Sequence, residues 1–328
     1  MKAAVLEALG STPVYGDFPE PDLQAGEALV HVRAAAVKQL ERLIASGKHY
    51  SSPKTLPIVP GLDGVGLLDD GARVYFMAQR RPFGAMAQRA PASLTVPVPA
   101  GLSDAEAAAV VNPGLAGWLP LVERGRMKAG ENVLILGATG TSGRMAVTMA
   151  RLLGAGRVIA CGRRREVLEG LDADATIDLS APETDIAAAF AAEAERGLGV
   201  IVDYLWGRTA ELLIGQLARP DLHSSTDDSA IRFVTVSQMA GPDIALPSNA
   251  LRGSRLELIG SGTGNFPHGE AMRQAIAKVL DLAAAGHIST ETSEVPVEDV
   301  ARAWPAPNNP DQRIVLTFGA AISQGESA

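Results

Sequence analysis

The chain has 328 residues, 47% hydrophobic and 20% charged, which is enough for two domains of ordinary globular composition. Its net charge of -8 argues against a nucleic-acid partner, whose phosphates require a basic field. The single cysteine, Cys161, excludes an intrachain disulfide and a four-cysteine zinc site, and no apolar run reaches membrane-span length, so a cytoplasmic protein without a membrane partner is expected.

Residues 2–7, 27–35, 61–68, 73–76, 84–89 and 94–96 read as short strands, alternating or apolar and punctuated by Gly, Pro and Asp. A helix is expected over 39–45, and a second starts at Ser103, where Glu106 completes a capping box. After Asn112-Pro113-Gly114 the texture changes to alternating strands (133–136, 157–161, 175–178, 200–204, 231–237, 256–259) and helices (144–153, 185–196, 209–217). That alternation specifies a parallel sheet with right-handed crossovers. The polar stretch 220–229 reads as a surface loop. An alanine-rich helix over 270–285, strands at 293–297 and 313–318, and one short helix through Glu298, Asp299, Val300 and Trp304 follow, and the chain is expected to return here to complete its first domain. Residues 323–328 carry no packing signal and read as a frayed end.

The most informative stretch is Val133-Leu134-Ile135-Leu136 followed by Gly137, Gly140 and Gly143. Three glycines between a buried strand and a helix allow a tight turn, close backbone approach to a phosphate, and close helix packing, with the helix N-terminus facing the anion. This predicts a dinucleotide site. An NAD-type site places an acid about twenty residues beyond the glycines to bond the ribose hydroxyls. Here that place falls at Gly162-Arg163-Arg164-Arg165, and guanidinium groups suit a 2'-phosphate, so NADP(H) is the expected cofactor. At least one of the three arginines is expected to be an ordinary solvated helix-start residue.

These features, together with Leu115-Ala116-Gly117-Trp118, Lys128-Ala129-Gly130-Glu131 and the closing Val295-Pro296-Val297-Glu298-Asp299-Val300, make the chain similar to the medium-chain dehydrogenase/reductases, and within them to the zinc-free quinone oxidoreductase branch. The resemblance covers nearly the whole chain. It implies an α/β fold: a Rossmann doubly wound parallel sheet over 114–262 and a GroES-like β-rich substrate domain formed by 1–113 and 263–328, with the nicotinamide in a cleft between them. Cofactor contacts are expected from Asn112, Gly137, Thr139, Gly140, Thr141, Ser142, Gly143, Gly162, Arg163, Arg164, Ser237, Gly262 and Thr263. The strand 256–259 matches the edge strand through which relatives pair, so a homodimer is expected.

Zinc-dependent relatives carry a cysteine and a Gly-His-Glu where this sequence has Lys38 and Gly61-Leu62-Asp63, so no metal is expected. That points to reduction of an already electrophilic acceptor, a quinone or an α,β-unsaturated carbonyl, which needs a positioned hydride donor and oxyanion donors. The residues that would supply them depart from the family pattern: Lys38 and Glu41 replace Asn and Asp, and His49 stands where Tyr is usual, with Tyr50 one place on. Lys38 reads equally as a donor to a developing oxyanion or as an ion-pair partner of Glu41 at a helix start, and His49 and Tyr50 as proton donors or ordinary loop residues. Two rival functions stand beside this one. The first is an NADPH-binding regulator with little turnover. The second is an atypical short-chain dehydrogenase, disfavoured because the only Tyr-x-x-x-Lys spacing, Tyr50 to Lys54, precedes the glycine turn.

Overall fold

The computed structural model describes residues 1–78, 80–217, 230–306, 309 and 311–319. The described residues form two compact units, one made of Met1–Asn112 with the segment from Gly269 onward, the other of Pro113–His268. These divisions fall one residue before and six residues after the expected boundaries at 113 and 262.

In chain order the first unit contains β1 (Lys2–Val5), β2 (Val14–Asp17), β3 (Ala28–Ala36), α1 (Gln39–Ala45), β4 (Asp63–Leu67), β5 (Arg73–Met77), β6 (Arg89–Ala92), β7 (Leu94–Pro97) and the start of α2 (Asp104–Leu119). The expected strand over 84–89 is corrected. Only Ala87 makes an isolated bridge, to Ala3, and the regular strand begins at Arg89. The backbone here bonds to other segments instead: Ala85 and Met86 donate their N–H groups to the Gly61 and Pro60 carbonyls at 2.9 and 3.0 Å, and the approach is so close that a side chain at Gly84 would run into the carbonyl oxygens of Val59 and Pro60. The capping box holds, with Glu106 Oε2 accepting from the Ser103 N–H at 2.8 Å and Ser103 Oγ from the Glu106 N–H at 3.1 Å. α2 then runs on through Pro113, where the sequence changes texture.

The second unit continues with β8 (Asn132–Leu136), α3 (Thr141–Leu152), β9 (Arg157–Gly162), α4 (Arg165–Glu169), β10 (Ala175–Asp178), α5 (Glu183–Glu195), β11 (Val200–Asp203), α6 (Gly207–Leu217), β12 (Ile231–Thr235), α7 (Ser248–Arg252) and β13 (Leu256–Gly260). The chain then supplies α8 (Glu270–Ala284), β14 (Glu291–Pro296), a single tight turn of helix at Val297–Asp299, α9 (Val300–Ala303) and β15 (Gln312–Thr317) to the first unit. The one short helix expected around Glu298 is therefore a tight turn leading into a separate four-residue helix. The expected loop at 220–229 and frayed end at 323–328 lie outside the described residues.

The second unit's sheet is all-parallel in the order β10-β9-β8-β11-β12-β13, which is the doubly wound order 3-2-1-4-5-6. Its first strand, β8, is an apolar run as expected where helices cover both faces of a parallel sheet: Val133, Leu134, Ile135 and Leu136 are all fully buried. In the first unit, β14-β15-β3-β4-β5-β7 form one sheet to which β6 adds by pairing with β3. β15 joins β3 antiparallel, and that pairing is what ties the C-terminal segment into the first unit's core through Leu316 and Phe318. A register shift between Val32 and Ala34 irregularises the β3–β4 pairing just before α1.

Candidate active site

The glycine turn sits at the carboxyl end of β8, where the sheet order reverses between β8 and β11. Gly137 has φ +89 and donates its N–H to the Cys161 carbonyl at 2.9 Å, which ties the turn to the end of β9. A side chain at Gly143 would strike the Gly137 carbonyl oxygen and come within 2.7 Å of Ala138 Cα, so the third glycine is required by close packing of α3 on the turn. Gly140 differs: its nearest neighbour would be the Gly137 oxygen at 3.5 Å, leaving open space above the N-terminus of α3. Gly140 is the residue that caps α3, so the N–H groups of the first turn point out of the N-terminal end of the helix.

The arginines after β9 divide by environment. Arg165 pairs with Glu169 one helical turn on, at 3.1 Å. Arg164 is half-buried and donates from Nη2 to the Thr139 carbonyl, so it braces the turn. Arg163 is exposed and, among the described residues, makes no ion pair. Gly162 lets the buried Thr139 approach, since a Cβ there would lie 2.5 Å from Thr139 Cγ2. Half-buried Ser237 follows β12, and half-buried Gly262 and Thr263 follow β13, with the Gly262 N–H donating to Asn265 Oδ1 at 2.8 Å. Because every strand is parallel, these residues share the carboxyl edge of the sheet with the glycine turn. Asn112 lies on α2, as the last residue of the first unit before the division.

Asp203, at the end of β11, is fully buried and accepts the backbone N–H groups of Leu205 at 2.8 Å and Trp206 at 3.0 Å. Burial pushes its carboxyl up to about 6, and the bonds from Trp206, Leu205 and Thr235 only partly offset that. It is a turn acid. The next residue, Tyr204, donates its hydroxyl to the Ala116 carbonyl at 2.7 Å and fits because position 137 lacks a side chain: a Cβ there would sit 3.2 Å from Tyr204 Cβ. Cys161 is a buried core residue whose thiol is pushed well up by desolvation, so it is held protonated.

In the first unit, Lys38 and Glu41 are brought together at the start of α1, and Asp63, opening β4, joins them. Lys38 is 1% exposed, with Nζ 2.5 Å from Asp63 Oδ2 and 2.9 Å from Glu41 Oε1. Burial works against its charge, but the carboxylates of Asp63 and Glu41 outweigh it and hold the ammonium above the usual lysine value. Tyr75, fully buried, is pushed well up by burial and by the neighbouring Asp63. Glu41 Oε1 also accepts from the Leu62 N–H at 3.2 Å, whereas Glu41 Oε2 and Asp63 Oδ1 are buried without a partner. Glu41 further lines a cavity of about 20 Å³ walled by Leu6, Ile44, Ile58 and Phe83, with Arg81 at its edge.

The positions matched to zinc ligands thus carry an ammonium clasped between two carboxylates, a donor set that leaves no lone pair from Lys38 for a metal. Among the described residues, no three His, Cys, Asp or Glu side chains gather in a metal-holding group. Asp63 was not among the expected site residues. The signal was its alignment with the Gly-His-Glu glutamate, but its partner lies 25 residues away and only the β3–β4 pairing reveals it.

His49 and Tyr50 lie on the loop after α1, ring against ring at 4.0 Å between centroids and tilted by 32°. Tyr50 is 72% exposed. His49 Nδ1 accepts the Ser51 N–H at 3.0 Å, which leaves the ring proton on Nε2, and burial lowers its basicity, so the ring is a neutral donor. No described helix is long and apolar enough to cross a membrane.

Comparison with known proteins agrees with this architecture. No protein-family model matches the chain. A probable NADPH-dependent quinone reductase of Emericella nidulans is 28% identical over 366 residues, covering 96% of this chain and 99% of its own. A phthioceranic/hydroxyphthioceranic acid synthase of Mycobacterium tuberculosis is 34% identical over 165 residues, 47% of this chain but only 8% of the synthase. In fold, a mycobacterial quinone oxidoreductase superposes with a TM-score of 0.79 at 21% identity, covering 97% of this chain and all of the other. The doubly wound sheet of the second unit, the β-rich first unit and this full-length similarity make the chain similar in sequence to an NADPH-dependent quinone reductase and alike in fold to a quinone oxidoreductase.

Proposed function

We propose that this protein is an NADPH-dependent oxidoreductase that delivers hydride, without a metal, to a quinone or to the β-carbon of an α,β-unsaturated carbonyl. The observation that carries the cofactor choice is Arg163: an exposed guanidinium, without an ion-pair partner among the described residues, at the end of the strand where an NAD site needs an acid. The full-length relative of Emericella nidulans is described as NADPH-dependent, which supports the same reading. The residues fit the cofactor's phosphates. The space above Gly140 is open, the N–H groups of Thr141, Ser142 and Gly143 begin α3 there, and Arg164 braces Thr139 beneath them. When bound, the nicotinamide supplies the hydride.

The chain's own residues supply position and protons. In this reading Asn112, Ser237, Gly262 and Thr263 also contact the cofactor, and 1–113 with 263–328 forms the substrate domain. His49 Nε2 and the Tyr50 hydroxyl donate to the acceptor oxygen, and the flat face of the His49–Tyr50 pair suits a planar acceptor. Lys38, clasped between Glu41 and Asp63, anchors the start of α1. A homodimer through β13, the exposed edge of the parallel sheet, and a cytoplasmic setting complete the proposal. The test is oxidation of NADPH, followed by absorbance, against a panel of quinones, enones and enoyl thioesters. Turnover with quinones or enones and little with NADH is expected. Binding of NADPH without turnover across the panel would replace this reading with a cofactor-sensing regulator.

A further inference from the structure

The charged cluster around Lys38 is not balanced. Arg42 lies one turn along α1, its N–H bonded to the Lys38 carbonyl at 3.3 Å, and Arg313 lies on β15 beside Ile314, whose carbonyl accepts the Val37 N–H at 2.9 Å. Both residues therefore flank the segment 37–38 from different elements, and the Arg313 guanidinium lies near enough to feel the charges of Arg42, Glu41 and Asp63. Neither makes an ion pair or a side-chain hydrogen bond among the described residues, and the Nε of each is buried without a partner. Desolvation lowers the pKa of both, and for Arg313 the carboxylates of Glu41 and Asp63 work against that loss while Arg42 adds to it. Glu41 and Asp63 each commit one oxygen to Lys38, so the cluster of Lys38, Arg42, Arg313, Glu41 and Asp63 keeps one positive charge in excess. Two half-buried guanidinium groups that repel each other and leave donors unmade are costly unless an anion satisfies them.

We propose that Arg42 and Arg313 form an oxyanion-binding pair, taking a carboxylate or phosphate group between α1 and the start of β15. Planar guanidinium forks match either group with paired charge-assisted bonds, and a single negative charge neutralises the cluster. The pair belongs to the first unit and the glycine turn to the second, so the proposal does not depend on the cofactor assignment. Its ligand is the anionic part of a metabolite or of an acceptor carrying such a group.

The test is the melting temperature of the intact protein in acetate, inorganic phosphate and chloride at equal ionic strength, for wild type, Arg42→Gln, Arg313→Gln and Arg42→Lys. Wild type should melt higher in phosphate or acetate than in chloride. Each Gln variant should need roughly tenfold more anion for the same rise, and Arg42→Lys should keep part of it. A rise with phosphate alone assigns a phosphate ligand; a rise with both anions assigns a carboxylate-sized site. No rise above chloride, or a rise undiminished in both Gln variants, as from phosphate held only at the glycine turn, overturns the proposal. Arg42→Gln removes a half-exposed head from a helix surface, so it remains readable even if Arg313→Gln fails to fold.

Discussion

Replacing Lys38 by Met is the sharpest perturbation of the first unit. The side chains of Lys38, Glu41 and Asp63 are only 1%, 2% and 5% exposed, and both carboxylates already carry one buried oxygen without a partner. Methionine fills the space of the lysine stem but leaves two buried carboxylates facing each other with no cation between them. Breaking a buried pair by removing one partner costs about 3–5 kcal/mol, and at roughly 2–4 °C per kcal/mol for a unit of this size the melting temperature should fall by about 6–20 °C. Because the folded ammonium titrates above its unfolded value, the stability it contributes is complete below the unfolded lysine pKa and is lost as pH rises through the raised native value. The variant's deficit should shrink as pH is lowered from about 8 to about 5, because burial favours protonated carboxyls once the cation is gone. Adding Glu41→Gln and Asp63→Asn to Lys38→Met should restore much of the loss. Thermal or urea unfolding across that pH range is the assay. A deficit below about 1 kcal/mol, the ordinary value of an exposed pair, or one that is independent of pH, would refute the reasoning.

Arg163→Ala should raise the NADPH KM by about ten- to a hundredfold while leaving NADH unaffected, the loss expected for a charge-assisted bond; Arg165→Ala, already tied to Glu169, should change neither. Gly143→Ala should cost about 1–3 kcal/mol of stability because backbone must move, whereas Gly140→Ala should fold normally and bind nucleotide poorly, a contrast read by paired unfolding and titration measurements. Asp203 has a native pKa of about 6 against an ordinary 3.8, so ionising it costs the folded state about 3 kcal/mol by linkage, accruing as pH rises from 4 through 6. Asp203→Asn keeps an acceptor for Leu205 and Trp206 without that charge. Its stability relative to wild type should therefore grow across the same window, as followed by urea unfolding at each pH.

Much of the second unit is legible in sequence because its signals are local: an apolar run, three glycines, and a helix whose buried face repeats every turn. The separate jobs of the glycines also follow, since Gly143 is fixed by contacts within the turn itself. The jobs of the three arginines do not. Whether a guanidinium braces the Thr139 carbonyl, pairs along a helix or stays uncommitted depends on how β9 ends against β8, which spacing alone leaves open. Residues 84–89 look strand-like because their alternation suits a sheet, yet the crossing of the backbone at Gly84 against residues 59–60 decides otherwise, and that crossing is a long-range fact. The short β2, α4 and α7 carry too few residues for periodicity to register. At the candidate acceptor residues the limit is sharper still: Lys38 and Glu41 are neighbours on one helix start, but Asp63 and Arg313, which set the charge balance around them, arrive from β4 and β15.

The central claim is that a doubly wound nucleotide unit with an arginine in place of the ribose-binding acid serves metal-free reduction of a quinone or enone. The measurement that tests it most directly is the ratio of kcat/KM for NADPH over NADH in quinone reduction, on protein dialysed against a chelator. The account predicts a ratio of about ten or more, with the activity undiminished by chelation and not increased by added zinc. A ratio near one, or activity that appears only when zinc is restored, would contradict it.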